Sequence, residues 1–278
     1  MYPLERPAAS VRTPRVVSAV KLLRSAGRRK AGEFLVEGAN AVEAALEAGV
    51  VRELFYVADA GMRVVELVAQ AEASGVLVTL VDDRAAKALG DTVTPPGLVG
   101  VATLIDVPLD RALVGSPRLL AVPVEVTEPG NAGAIIRVAD AVGADAVVLA
   151  GESVDPHNGK CVRASAGSVF HLPIARERAV PAVLDALGAA GIQLLATAAD
   201  GEIGLDDADD VLARPTAWLF GNEAHGLPSD VLARADHRIR IPIHGRAESL
   251  NLATAAAICL YESSRVQRRA GNHVEPIE

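Results

Sequence analysis

The chain has 278 residues, a formal net charge of −8, 50% hydrophobic and 22% charged residues. This balance excludes a disordered chain and allows one or two globular domains with a sizeable core. Cys161 and Cys259 are far apart and lack Cys/His ligand spacing, which argues against a disulfide framework or a metal site and fits a reducing cytoplasm. No apolar run approaches the roughly 20 residues of a membrane span, and no signal-peptide core precedes the first elements, so a soluble cytoplasmic protein is expected.

Net acidity argues against a nucleic-acid partner, but its distribution does not. Residues 1–30 hold eight basic side chains, Arg6, Arg12, Arg15, Lys21, Arg24, Arg28, Arg29 and Lys30, against Glu5, and the rest of the chain stands at −15. A basic segment on an acidic body is the footprint of a polyanion-binding surface, although a solvated face has the same composition.

In chain order, Pro3, Pro7 and Pro14 predict a flexible basic arm over residues 1–16. A short helix with basic flanks follows over Ser18–Lys30. Strands are expected at Phe34–Val36, Leu54–Val57, Val76–Val81 and Leu98–Ile105. Helices are expected at Ala39–Ala48, Val64–Ala73 and, N-capped by Asp82, over Asp82–Leu89. This alternation predicts a small α/β domain over residues 17–105, without a catalytic constellation of its own. Pro108, Gly115 and Pro117 mark residues 106–117 as a linker.

Residues 118–268 read as a second, parallel, doubly wound α/β domain, with 269–278 a tail. Strands are expected at Leu119–Val124, Ala146–Leu149, Ile192–Thr197 and Trp218–Phe220, and Ile239, Ile241 and Ile243 alternate as a strand does. Helices are expected at Ala134–Val142, Gly159–Ala166, Val180–Ala190 and Leu250–Tyr261. Three strand-to-helix junctions are dense in Gly, Asn, Glu and Ser: Glu128–Arg137, Gly221–Gly226 and Glu248–Asn251. Ligands sit at the carboxyl ends of strands in such sheets, so these loops are the candidate site. Ser249 and Asn251 could equally be helix caps. A dinucleotide fingerprint at Glu128–Gly133 fails, because Glu128 stands where its first glycine is required and would face a pyrophosphate. His225 and His244 have no metal-ligand spacing.

Asn131-Ala-Gly133 with Arg137, Phe220-Gly-Asn-Glu223-Ala-His-Gly226, and Ile241-Pro-Ile followed by Glu248-Ser-Leu-Asn251 occur in that order. Together they resemble the three signature motifs of the SpoU/TrmH-type RNA ribose 2′-O-methyltransferases, over roughly Leu119–Arg265. Lys160–Gly167 is similar to a basic segment between the first two motifs. Val20-Lys-Leu-Leu and Glu33–Gly38 are similar to the RNA-binding domain that precedes catalysis in rRNA-directed members. The resemblance implies a trefoil-knotted methyltransferase domain, S-adenosylmethionine as cofactor, no metal, and a homodimer formed through the C-terminal domain. It implies cofactor binding by Thr197, Leu219, Gly221, Asn222, Ile241 and Leu250. Asn131, Glu223, Ser249 and Asn251 would form a polar wall that positions Arg137 and the substrate. RNA contacts would fall on Arg163, Arg24, Arg28, Arg29 and Lys30. The implied substrate is ribosomal (23S) RNA. Transfer RNA, a base-methylating relative and an RNA-binding member without catalysis are the alternatives.

Overall fold

The computed structural model describes residues 8–92 and 95–271. The chain forms two compact units: residues 1–105 together with 155–171, and residues 106–154 together with 172–278.

The N-terminal unit has four strands, β1 (Glu33–Glu37), β2 (Val51–Tyr56), β3 (Leu77–Leu80) and β4 (Leu98–Thr103), in the order β1-β4-β2-β3. β4 runs antiparallel to both β1 and β2, with Phe34 opposite Ala102, while β2 and β3 are parallel. Val16, Ala19, Leu22, Leu35, Phe55 and Leu89 form one of its apolar clusters. Asp82 caps the helix Asp83–Ala88 by accepting from Ala85 N at 2.7 Å, as expected.

Two expectations fail here. The arm stops well short of residue 16: Ala9 N donates to Leu80 O at 2.8 Å, a helix runs over Pro14–Val20, and Val16 is fully buried. Proline at the first helical turn starts a helix rather than preventing one. Residues 1–7 of that arm lie outside the described residues, as does most of the expected tail. The single helix over Ser18–Lys30 is instead three pieces, Pro14–Val20, a 3-10 turn at Lys21–Leu23, and Ser25–Ala31.

The C-terminal unit is built on seven parallel strands: β5 (Leu119–Pro123), β6 (Ala146–Ala150), β7 (Ile174–Glu177), β8 (Gln193–Thr197), β9 (Ile203–Gly204), β10 (Thr216–Phe220) and β11 (His237–Arg240). Their order is β7-β6-β5-β10-β8-β11-β9. Every residue of β5, β6 and β10 is buried. Strands covered on both faces read as unbroken apolar runs, which is why these three were legible. The expected linker is not one. Val107 N donates to Ile174 O at 2.9 Å, Leu109–Ala112 is a short helix, and Ala112 is buried in the sheet's core.

The last helix, Leu252–Gly271, is fastened by polar side chains, of which Ser263 and Ser264 are buried. Trp218 Nε1 donates to Ser263 Oγ at 2.8 Å and Ser264 Oγ to Val142 O at 2.7 Å. Gln267 Nε2 donates to the carbonyls of Arg118, Leu212 and Arg214 at 3.1, 3.2 and 2.9 Å. Among the described residues no helix is long and apolar enough to cross a membrane.

Candidate active site

The order of the parallel sheet places the site. From β5 the chain moves outward through β6 and β7. It then returns to the other side of β5 with β10, β8 and β11. The strand order therefore reverses beside β5, and a crevice opens where the connections after neighbouring strands diverge. Thr197 ends β8, while Gly221 and Ile241 follow β10 and β11 directly. A cavity of about 440 Å³ lies at these three carboxyl ends, within the size range of small-ligand pockets.

Its walls are mostly aliphatic, from Ile239, Ile241, Ile243, Leu250, Leu252 and Ala255. Glu223 and Glu248 are the charged lining residues, and no Lys, Arg or His is among the described ones. An apolar slot with two acids and no cation suits a ligand that is apolar in body and positive in charge. It does not suit a pyrophosphate. Ile241 and Ile243 were expected to continue a strand, but β11 stops at Arg240 and both residues turn into the cavity wall.

The loop after β10 is closed on itself. Asn222 N donates to Gly226 O at 3.0 Å and Gly226 N to Asn222 O at 2.8 Å. The Asn222 side chain accepts from Ala224 N at 2.8 Å and donates to Glu125 O at 2.8 Å. Asn222 thus lines the cavity while its side chain bridges the loop to the segment after β5. A Cβ on Gly221 would stand 2.3 Å from Gly226 C and Leu227 N, so the glycine is required by the loop's own backbone. Leu219 is fully buried within β10, outside the lining, and its carbonyl accepts from Thr197 Oγ1 at 3.2 Å.

The first motif is helical rather than a loop. The helix Pro129–Val142 begins five residues earlier than expected, with Pro129 at its first position and Glu128 accepting from Gly130 N at 3.2 Å. Asn131 therefore sits in the first turn, next to the loop after β10, because β5 and β10 are paired neighbours. Asn131 Nδ2 donates to Glu223 Oε1 at 2.8 Å, and Asn251 Nδ2 donates to Asn131 Oδ1 at 3.0 Å. Asn251 Oδ1 in turn accepts from Ala253 N at 3.0 Å and Thr254 N at 3.3 Å, capping the last helix. Three motifs from three parts of the chain thus meet in one directed relay. The cap fixes which end of the Asn251 amide faces Asn131, and that fixes which end of Asn131 faces Glu223. Ser249 lies exposed on the cavity rim.

Arg137 is not drawn into this relay. It lies two turns into its helix, exposed, and its side chain makes no hydrogen bond or ion pair among the described residues. Two further arginines expected to meet RNA are engaged inside the N-terminal unit. Arg163 Nη1 donates to Glu37 Oε2 at 2.8 Å and also pairs with Asp91. Arg28 is buried; its Nε and Nη2 donate to Asp155 Oδ2 at 2.9 and 2.7 Å, and its Nη1 donates to the carbonyls of Leu22 and Leu23. Burial alone would raise the Asp155 carboxyl, but the hydrogen bonds of His157 and Arg28 and their charges hold it well below the usual carboxylate range. Burial, with the Asp155 charge behind it, pushes the Cys161 thiol up to about 12, and burial also raises Cys259, so neither is a nucleophile. Arg24, Arg29 and Lys30 are exposed, as RNA contacts require.

Ala198, Ala199 and Leu252 line the cavity without having been foreseen. Alanine and leucine carry no sequence signal of a site, and only their place beside the strand ends identifies them.

Residues 118–261 match the SpoU rRNA methylase family, and residues 13–100 match the MRM3-like substrate-binding domain. The chain is 34% identical to the 23S rRNA (guanosine(2553)-2′-O)-methyltransferase RlmP of Bacillus subtilis, over 91% of this chain and 96% of that one. It is 36% identical to the 23S rRNA (uridine(2479)-2′-O)-methyltransferase of Streptomyces viridochromogenes, over 88% and 86%. The crystal structure of the SpoU methyltransferase AviRb from the same species, in complex with the cofactor AdoMet, superposes with a TM-score of 0.82 at 33% identity. It covers 93% of this chain and 100% of that one. The AdoMet-bound rRNA methyltransferase of Sinorhizobium meliloti superposes with a TM-score of 0.80 at 33% identity, over 93% and 98%. With both family matches in sequence and a parallel sheet carrying the three motifs at one edge, the chain belongs to the SpoU rRNA methylase family.

Proposed function

We propose that this protein is an S-adenosylmethionine-dependent methyltransferase that modifies a ribose 2′-hydroxyl of 23S ribosomal RNA in the cytoplasm. The observation that carries the reading is the cavity at the ends of β8, β10 and β11, aliphatic and acidic, with the Asn251–Asn131–Glu223 relay beside it. S-adenosylmethionine, when bound, supplies an electrophilic methyl group on a positively charged sulfur. Ile241, Leu250 and Leu252 would enclose its apolar part and exclude water, and backbone at Gly221 would lie against it. Glu223 and Glu248 would complement its positive charge. Thr197 takes part as a fixed wall, its hydroxyl held by Leu219 O. Ser249 and Glu223 would orient the ribose, the proton of its 2′-hydroxyl would leave to the Glu223 carboxylate or to water, and Arg137 would bind the target phosphate and stabilise the developing alkoxide. The trefoil knot implied by the motifs belongs to this reading.

The oligomer is part of the proposal. Thr254, Ala257, Ile258 and Tyr261 recur at i, i+3, i+4 and i+7 along the last helix, and none is buried, with Tyr261 55% exposed. A second copy of the chain covering this stripe gives a homodimer through the C-terminal unit.

The test is transfer of isotopically labelled methyl from S-adenosylmethionine to ribosomal RNA transcripts, followed by nucleoside mass spectrometry. Label on ribose in 23S RNA is expected. Label on a base, on transfer RNA alone, or on nothing despite cofactor binding would each replace this reading with one of its alternatives.

A further inference from the structure

The N-terminal unit holds a groove of about 650 Å³ lined by Val11, Val17, Val20, Lys21, Arg24 and Lys30, with small residues between them. Its described lining contains no acidic side chain, in a chain whose net charge is −8. The side chains of Lys21, Arg24 and Lys30 are exposed and make no hydrogen bond or ion pair among the described residues. Val11 is 41% and Val17 39% exposed, so apolar surface and unpaired cations share one concavity.

The groove is a built feature. At Gly27 the helix Ser25–Ala31 crosses the 3-10 turn Lys21–Leu23 so closely that a Cβ would stand 2.0 Å from Lys21 O. Arg28 then ties the turn from beneath through Leu22 O at 3.0 Å and Leu23 O at 3.1 Å, anchored on Asp155. Gly27 and Arg28 thereby set where Lys21, Arg24 and Lys30 project.

Resting on the reading of this protein as an RNA methyltransferase, we propose that this groove binds an unpaired segment of the substrate RNA. An unstacked base would lie against Val11, Val17 and Val20, and Lys21, Arg24 and Lys30 would take the flanking phosphates. A duplex presents phosphates outward and keeps its bases stacked, so it would satisfy the cations and leave the valines wet. A loop or bulge offers an apolar base face and a phosphate chain together. All lining residues except Val11 fall within the part of the chain matched by the substrate-binding family, residues 13–100.

The experiment measures affinity of the full chain, across a salt series, for a stem–loop RNA, a blunt duplex of equal length and oligoglutamate. S-adenosylmethionine affinity and circular dichroism are followed in each variant. Lys21→Ala/Arg24→Ala/Lys30→Ala should weaken stem–loop binding on the order of tenfold to a hundredfold near 0.15 M salt and reduce the salt slope by about two units. Val17→Ser should weaken stem–loop binding about three- to tenfold, leave the slope unchanged and leave duplex binding alone. Unchanged affinity and slope in the triple variant would overturn the proposal. Equal wild-type binding of duplex and stem–loop, with no effect of Val17→Ser, would also overturn it, and so would oligoglutamate displacing the stem–loop from wild type as effectively as unlabelled stem–loop RNA does. If wild type neither binds nor methylates RNA, the fault lies with the enzymatic reading itself; if it methylates RNA while the variants bind normally, the groove alone is wrong.

Discussion

At the scale of single residues, the relay among Asn251, Asn131 and Glu223 has a direction imposed by backbone. Two N–H groups at the start of the last helix occupy Asn251 Oδ1, so its Nδ2 must face Asn131. Asn251→Asp keeps the cap but replaces the donor with a carboxylate. Asn131 would then have to turn its own amide nitrogen toward residue 251, releasing Glu223. We expect on the order of a hundredfold loss in single-turnover methylation with the melting temperature nearly unchanged, because Asp caps helices as well as Asn. Asn251→Ala should lose the same activity and, in addition, about 1 kcal/mol of stability. Arg137 belongs at this scale too. A free guanidinium holds its proton far above neutral pH, so the proposed role is electrostatic rather than that of a base. Arg137→Ala should cost about a hundred- to a thousandfold in rate with cofactor affinity intact, since Arg137 does not line the cavity. Arg137→Lys should recover part of it. Near-normal turnover in Arg137→Ala would remove the residue from the active site.

Among the elements, the basic segment shows why residue type alone misassigns a role. Arg28 and Arg29 are neighbours with the same side chain, yet Arg28 is buried on Asp155 while Arg29 is exposed, held to Ser25 Oγ at 3.0 Å. One residue of helical rotation separates them. Removing one partner of a buried ion pair leaves the other uncompensated, so Arg28→Ala should destabilise the N-terminal unit by about 3–5 kcal/mol in chemical denaturation. Deleting residues 1–30 would therefore unfold this unit rather than trim an arm, and point substitutions are the usable probe of RNA contact. The pair also predicts a pH response. The Asp155 carboxyl is depressed in the folded state, so its contribution is complete above the unfolded value near 4 and is lost as pH falls through the folded value. Asp155→Asn should therefore be less stable than wild type at pH 7, and the difference should shrink on acidification below about pH 4. An equal difference at all pH values would exclude this linkage. The loop after β10 gives a second element-level result. Gly221→Val, attractive as a probe of ligand contact, would drive its side chain into the backbone of Gly226 and Leu227. We expect it to lose cofactor binding together with thermal stability.

For the whole molecule, the stripe Thr254, Ala257, Ile258 and Tyr261 makes the proposed dimer testable. Tyr261→Asp places a charge on an exposed position of one chain but at the centre of a two-chain interface. It should convert a dimer to a monomer in light scattering while leaving the monomer's secondary structure intact. A wild-type protein that is monomeric at micromolar concentration would remove the dimer from the proposal.

The sequence by itself determined the two-part α/β architecture, the buried parallel strands and the three motifs that carry the family. Each depends on local patterns: unbroken apolar runs, alternation, and turn residues at strand ends. It also singled out Asn131, Glu223 and Asn251. Only tertiary structure decided that these three bond to one another, because the contacts join residues 92 and 120 positions apart, brought together by the strand order β5-β10-β8-β11. Weak or short elements escaped for the same reason in reverse. β7 has two apolar residues in Ile-Ala-Arg-Glu, and β9 is two residues long, so neighbouring strands, not their own composition, hold them in the sheet. The run Pro129–Gly133 reads as a loop from its composition, yet capping by Glu128 and burial of Ala132 and Gly133 make it helical. Arg163 and Arg28 carry the charge that RNA binding asks for, but Glu37, Asp91 and Asp155 reach them first, and their arrival depends on how distant segments fold together.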